Sequence, residues 1–178
     1  MASRITRAAG AALLALALAP GAMAQVSENR VAAETAWSVF VDGDPKECWG
    51  VSAPTETLNT RDGQAVSVRR GDILLFVTYR TGASEGEVTF TGGYPFKPGS
   101  VVKLDIGGTN FDLVTFPDAP EWAWSGSPEE DAKIVTALKA GASAVVRAES
   151  SRGTKTQDSF SLIGISAALD EAAKRCAG

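Results

Sequence analysis

The stretch Val101-Val102-Lys103-Leu104-Asp105-Ile106-Gly107-Gly108-Thr109-Asn110-Phe111-Asp112-Leu113-Val114-Thr115-Phe116 decides the fold class. Two β-type runs, 101–106 and 111–116, flank Gly107-Gly108, and the glycines permit the tight turn of a hairpin. Short β-type runs punctuated by turn signals continue outward on both sides. Upstream, residues 37–41 stop at Asp42-Gly43-Asp44-Pro45, and residues 47–52 follow, carrying Cys48. Arg61-Asp62-Gly63 turns the chain into an alternating run, 64–70. Gly71-Asp72 then leads into 73–79, a nearly continuous apolar run that suits a central strand covered on both faces. Residues 87–91 place Val88 and Phe90 on one face, and Gly92-Gly93-Tyr94-Pro95-Phe96 breaks the pattern. Downstream, 121–124 is a short fragment with both tryptophans on one face, and 144–149 and 159–165 complete the β inventory.

Two helices interrupt it. Ser127 is an N-cap, Pro128 fits the first helical position, and Glu129, Glu130 and Asp131 favour the positive end of the helix dipole. Ile134, Val135 and Leu138 form the apolar stripe, and Gly141 supplies the stop. A second helix is expected over 167–176, where Leu169, Ala172, Ala173 and Cys176 share one face. The expected fold is all-β, a β-sandwich-like domain with one internal and one C-terminal helix; a mixed α+β sheet is the alternative.

The N-terminus reads as a removable leader. Arg4 and Arg7 precede the apolar run 8–19, and Ala22-Met23-Ala24 is a small-x-small cleavage site before Gln25. The run is about 12 residues long, against the ~20 needed to cross a bilayer as a helix. Residues 1–24 are therefore expected to be a signal peptide, 25–36 a flexible lead-in, and 37–178 a single β-rich domain. No later stretch is long and apolar enough to span a membrane as a helix. The leader holds two of the 17 basic residues and none of the 21 acidic ones, so the mature chain has 15 against 21, a net charge of −6. That balance argues against a nucleic-acid partner, whose phosphates require a basic face. In an exported chain the two cysteines favour a disulfide, for which Cys48–Cys176 is the one intramolecular pairing.

The chain contains no histidine, which excludes Ser-His-Asp and Cys-His catalysis and every histidine-based metal site. Ser100-Val101-Val102-Lys103 matches S-x-x-K, but positions three apart on a strand point to opposite faces. Asp42, Asp44 and Glu47 offer oxygen ligands but fall short of a calcium loop, and a tight turn at Gly43 and Pro45 is the simpler account. No cofactor is expected. The aromatic residues remain: Trp37, Trp49, Trp122 and Trp124, with Tyr94 and Phe96. Buried tryptophans are the commoner case in a sandwich core, whereas an exposed pair can stack on sugar rings or anchor a protein. Trp122 and Trp124, lying between Pro120 and Gly126, are the leading exception, so a binding surface is expected at Trp122 and Trp124 with Tyr94 and Phe96.

Phe160-Ser161-Leu162-Ile163-Gly164-Ile165-Ser166-Ala167-Ala168-Leu169 resembles the C-terminal signature of the invasion-associated locus B family. Ile134-Val135-Thr136-Ala137-Leu138-Lys139-Ala140-Gly141 is similar to the helix and glycine that precede it there, and Trp37-Ser38-Val39 and Cys48 to the opening strand and early cysteine. Many members carry a close cysteine pair before the helix; here residues 118–124 contain none. The resemblance implies an exported, non-enzymatic β-rich protein of Gram-negative bacteria and carries over no catalytic residues. The expected function is thus a periplasmic or envelope-associated protein that binds another protein or an envelope component, with a bearing on host interaction. A hydrolase built on carboxylates alone and a purely structural envelope protein are the alternatives.

Overall fold

The computed structural model describes residues 29–83 and 85–177; the expected leader, 1–24, and the first residues of the lead-in lie outside the described residues. In chain order the strands are β1 (Arg30–Glu34), β2 (Trp37–Asp42), β3 (Glu47–Ser52), β4 (Glu56–Arg61), β5 (Gln64–Ala65), β6 (Leu74–Arg80), β7 (Glu87–Thr91), β8 (Val101–Ile106), β9 (Thr109–Phe116), β10 (Ala119–Trp124), β11 (Ser143–Glu149) and β12 (Lys155–Ser161). Helix α1 (Pro128–Ala140) lies between β10 and β11, and α2 (Ile165–Cys176) closes the chain. Among the described residues the twelve strands form one antiparallel sheet, ordered β1-β2-β3-β6-β7-β10-β9-β8-β11-β12-β4-β5. The sheet folds over so that its inner faces share a single core, the sandwich-like arrangement expected.

Strand alternation fills that core. Val39, Leu75, Val77, Phe90, Leu104, Leu113, Val146 and Phe160 are sealed from solvent or nearly so, each contributing about 1.5–3 kcal/mol by leaving water. Helix α1 is capped as expected: the Ser127 hydroxyl accepts the Glu130 N–H at 3.3 Å, and Ile134 and Leu138 are buried. Its Asp131 is buried too and accepts the Val88 N–H at 2.7 Å, fastening α1 to β7. Burial pushes the Asp131 carboxyl above its ordinary value.

Helix α2 packs on β1, β2, β3 and β6 through Ala168, Leu169, Ala172 and Cys176. Gly50 on β3 permits this approach, because a Cβ there would lie 2.8 Å from Leu169 Cδ2. The Cys48–Cys176 disulfide joins β3 to α2, and Trp37 Nε1 donates to the Ser161 carbonyl at 3.0 Å from the same wing.

Several local expectations are corrected. The lead-in is not loose over its whole length: Arg30–Glu34 pairs with β2 as an edge strand, held by backbone bonds that need no apolar alternation. Glu56–Arg61 is a strand, although Leu58 is its one apolar residue. Of the alternating run 64–70 only Gln64 and Ala65 form a strand, with the Val66 N–H still donating to the Asn59 carbonyl at 2.9 Å; beyond them the chain crosses toward β6, where Arg70 turns inward to an ion pair and Gly71 abuts Gly93. Gly93 has φ +69°, and a Cβ on it would lie 2.6 Å from the Gly71 carbonyl carbon, so both the backbone angle and the close approach require glycine. The last strand ends at Ser161. Most consequential for function, β6 is central but covered on one face only: Leu75, Val77 and Tyr79 are buried, whereas Leu74, Phe76 and Thr78 are half-buried.

Both tyrosines are protected. Burial, with smaller contributions from Asp170 and Glu85, pushes the Tyr79 phenol to about 12, and burial likewise raises that of Tyr94. Between pH 10 and 12 the folded chain keeps a Tyr79 proton that the unfolded chain has lost, so stability should fall as pH rises through that window. An alkaline titration followed by tyrosinate absorbance should show no normal tyrosine in the native protein; a full step near pH 10 ahead of unfolding would contradict this.

Candidate functional site

Because Cys48, Leu75, Val77, Val88, Phe90 and Ala123 point into the core, the intervening residues of β3, β6, β7 and β10 must point outward. These are Trp49, Phe76, Thr78, Thr89, Trp122 and Trp124. Register aligns them across the sheet: Phe40 lies opposite Trp49, Trp49 opposite Thr78, Phe76 opposite Thr89, and Thr89 opposite Trp124. The result is an aromatic band in two clusters on one face, with Thr78 opposite Trp49 between them. Phe40 and Trp49 stack with centroids 5.7 Å apart and planes within 9°. Phe76 lies 5.7 Å from Trp122, Trp122 lies 6.4 Å from Trp124, and Phe116 lies 5.6 Å from Trp124.

A groove of about 440 Å³ opens along the band, walled by Trp49, Phe76, Trp122 and Trp124. At one end Arg80 sits between Glu47, 2.6 Å away, and Glu87, 3.1 Å away. Both carboxylates of the groove are thus engaged with one guanidinium, whose own pKa they raise, Glu87 more than Glu47. These pairs are open to solvent and contribute little stability. Helix α2 packs on the opposite side of this wing, against Gly50 and Trp37. Trp122 is 37% exposed and Phe116 51% exposed, values foreign to a core.

The residues singled out from the sequence divide into two places. Trp122 and Trp124 share the outer face, and β10, expected as a fragment, is an interior strand paired with both β7 and β9. Tyr94 and Phe96 do not join them. Phe96 is buried and stacks on Phe90 in the core, 6.1 Å away. Tyr94 lies under Arg70, whose guanidinium carbon is 4.9 Å from its ring centre, and its hydroxyl meets Thr156 Oγ1 at 2.6 Å. The sequence reading missed Trp49, Phe76, Phe40 and Phe116 as surface residues. The signal for Trp49 was available: with Cys48 directed inward to α2, its neighbour on the strand faces out.

The minor candidates are occupied by local bonds. Asp42 accepts from the Gly43 N–H at 2.7 Å and from Asn29 at 3.0 Å, and Glu47 faces Arg80. Among the described residues no three His, Cys, Asp or Glu side chains gather as a metal site. Lys103 donates to Asp112 across the hairpin at 2.6 Å rather than to Ser100. Among the described residues no helix is long and apolar enough to cross a membrane. Compared with known proteins, the chain matches no family model, no curated protein and no solved structure.

Proposed function

We infer that this chain is an exported, non-enzymatic binding domain of the cell envelope that holds a protein or an envelope component on the aromatic face of β3, β6, β7 and β10. The observation that carries the reading is the outward aromatic band: four large rings wall one groove on a sheet face where core packing does not require them. Such residues are costly in solubility unless something covers or uses them, and aromatic anchors with a charged rim are the usual composition of a binding surface. The leader expected at 1–24 and the disulfide both suit an oxidising compartment outside the cytoplasm. The resemblance to the invasion-associated locus B family through the 160–169 segment supports the same assignment.

Replacing Trp122 and Trp124 together with Ala should abolish co-sedimentation of the purified protein with envelope fractions while lowering its denaturant midpoint only modestly. A truncated core Trp costs about 3–5 kcal/mol, so a melt separates the two roles. Retained sedimentation, or a collapse of the midpoint, would return these rings to a structural role.

A further inference from the structure

The chain is acidic overall, with a formal net charge of −4, yet it gathers four arginines around one concavity that shares no lining residue with the aromatic groove. Arg61 from the end of β4, Arg69 and Arg70 from the crossing segment, and Arg152 from the β11–β12 turn line a pocket of about 460 Å³ with Tyr94, Ser150, Ser151, Thr154 and Thr156. Glu121 is the single carboxylate among the lining residues. Arg70 is spent on structure: Asp158 takes two of its N–H groups at 2.7 Å each. Arg61, Arg69 and Arg152 make no ion pair among the described residues. With Arg70 neutralised by Asp158, the lining therefore carries three free guanidinium charges against one carboxylate.

Some of this lining is already positioned. Arg61 Nη2 donates to Thr154 Oγ1 at 2.7 Å, and the turn that presents Arg152 is closed by the Thr154 N–H bond to Ser150 Oγ at 3.1 Å. Beneath it, Tyr94 is fixed between Arg70 and Thr156. Guanidinium forks match phosphate and carboxylate oxygens. A planar carboxylate is satisfied by one such fork. Donors arriving from three separate segments suit a tetrahedral group, whose oxygens point in several directions.

We propose that this arginine pocket binds a phosphate-bearing ligand, as a site independent of the aromatic groove. The shared chemistry is the terminal tetrahedral phosphate group, whether free in solution or displayed as a lipid headgroup. Calorimetric titration with inorganic phosphate and glycerol 3-phosphate, together with co-sedimentation on phosphatidylcholine vesicles containing phosphatidic acid, tests it. Saturable binding is expected, weakened about tenfold or more in Arg61→Gln/Arg152→Gln through the lost charge-assisted hydrogen bonds, and unchanged in Arg147→Gln, which faces Asp105 elsewhere. Binding of the soluble ligands without vesicle retention identifies a free phosphate compound; vesicle retention lost in the same double variant identifies the headgroup. Arg152→Gln alone, at an exposed turn, serves if removing the Arg61–Thr154 bond impairs folding. Absence of saturable binding to all three probes, or wild-type affinity in the arginine variants, overturns the proposal. Loss of envelope binding on the Trp face leaves it untouched, so the two sites fail separately.

Discussion

Reduction and alkylation of the protein should cost it about 4–5 kcal/mol of stability. Cys48 and Cys176 are 128 residues apart in sequence, so their bond closes a loop spanning almost the whole domain. Loop-closure entropy removed from the unfolded chain is worth about 4.7 kcal/mol for a 100-residue loop and slightly more here. Domains of this size have a total stability of about 5–15 kcal/mol. The native side agrees with a fully formed bond: both cysteines are buried, and α2 is already seated on β3 by Leu169 above Gly50. Urea melts of Cys48→Ala/Cys176→Ala against the oxidised protein should show a large drop in midpoint. An unchanged midpoint would mean that the bridge does not restrain the unfolded chain.

The second large effect concerns Arg70 and Asp158. Their side chains are 6% and 0% exposed, and the bidentate contact joins the crossing segment to β12. The same guanidinium donates to the Gly92 carbonyl at 2.9 Å and to Asn59 Oδ1 at 3.3 Å, tying together the β4–β12 side and the segment after β7, which the sheet order separates by four strands. Asp158→Asn should cost about 3–5 kcal/mol, because it leaves a buried guanidinium without its counter-charge. Arg70→Met should cost a similar amount. The double variant Arg70→Met/Asp158→Leu should lose less than the sum of the two singles, since it also removes the penalty of burying charge. Four denaturant melts decide it; additive losses below about 1 kcal/mol each would show that the pair is not a staple of the fold.

Much of the scaffold was legible where side-chain chemistry and backbone preference agree. Ser127, Pro128, three acidic residues and Gly141 delimit α1 without tertiary information, and Gly107-Gly108 marks its hairpin. Legibility failed where tertiary context replaces the local pattern. Glu56–Arg61 has no apolar alternation because its inward Asn59 meets Arg70 rather than a hydrocarbon core. Residues 66–70 alternate like a strand, but an arginine committed to Asp158 and a glycine pressed on Gly93 draw the backbone out of the sheet. The site was half legible for a related reason. An apolar run such as 73–79 reads identically whether its second face lies under another layer or forms the floor of an aromatic groove. Trp122 and Trp124 were found through their spacing, whereas Tyr94 and Phe96 were grouped with them by residue type, and type does not encode which side of a loop faces the core. The arginine pocket assembles from positions as distant as Arg61 and Arg152, a convergence that no local motif announces.

The meeting of β1–β3 with α2 also sets an order on folding. The first strands of the domain are completed by the last helix: Ala36 N–H bonds to the Ile163 carbonyl, Trp37 to Ser161, and Cys48 to Cys176. A chain emerging N-terminus first therefore holds the inner face of β2 and β3, with Trp37 and Val39, uncovered until nearly every residue has appeared. Contacts of such long sequence separation form slowly, because loop closure must precede any compensating burial. The central hairpin, built from neighbours, can assemble while the opening wing still waits. During that interval Trp37 and Val39 have no covering layer, and a truncation that removes α2 would leave them without one permanently.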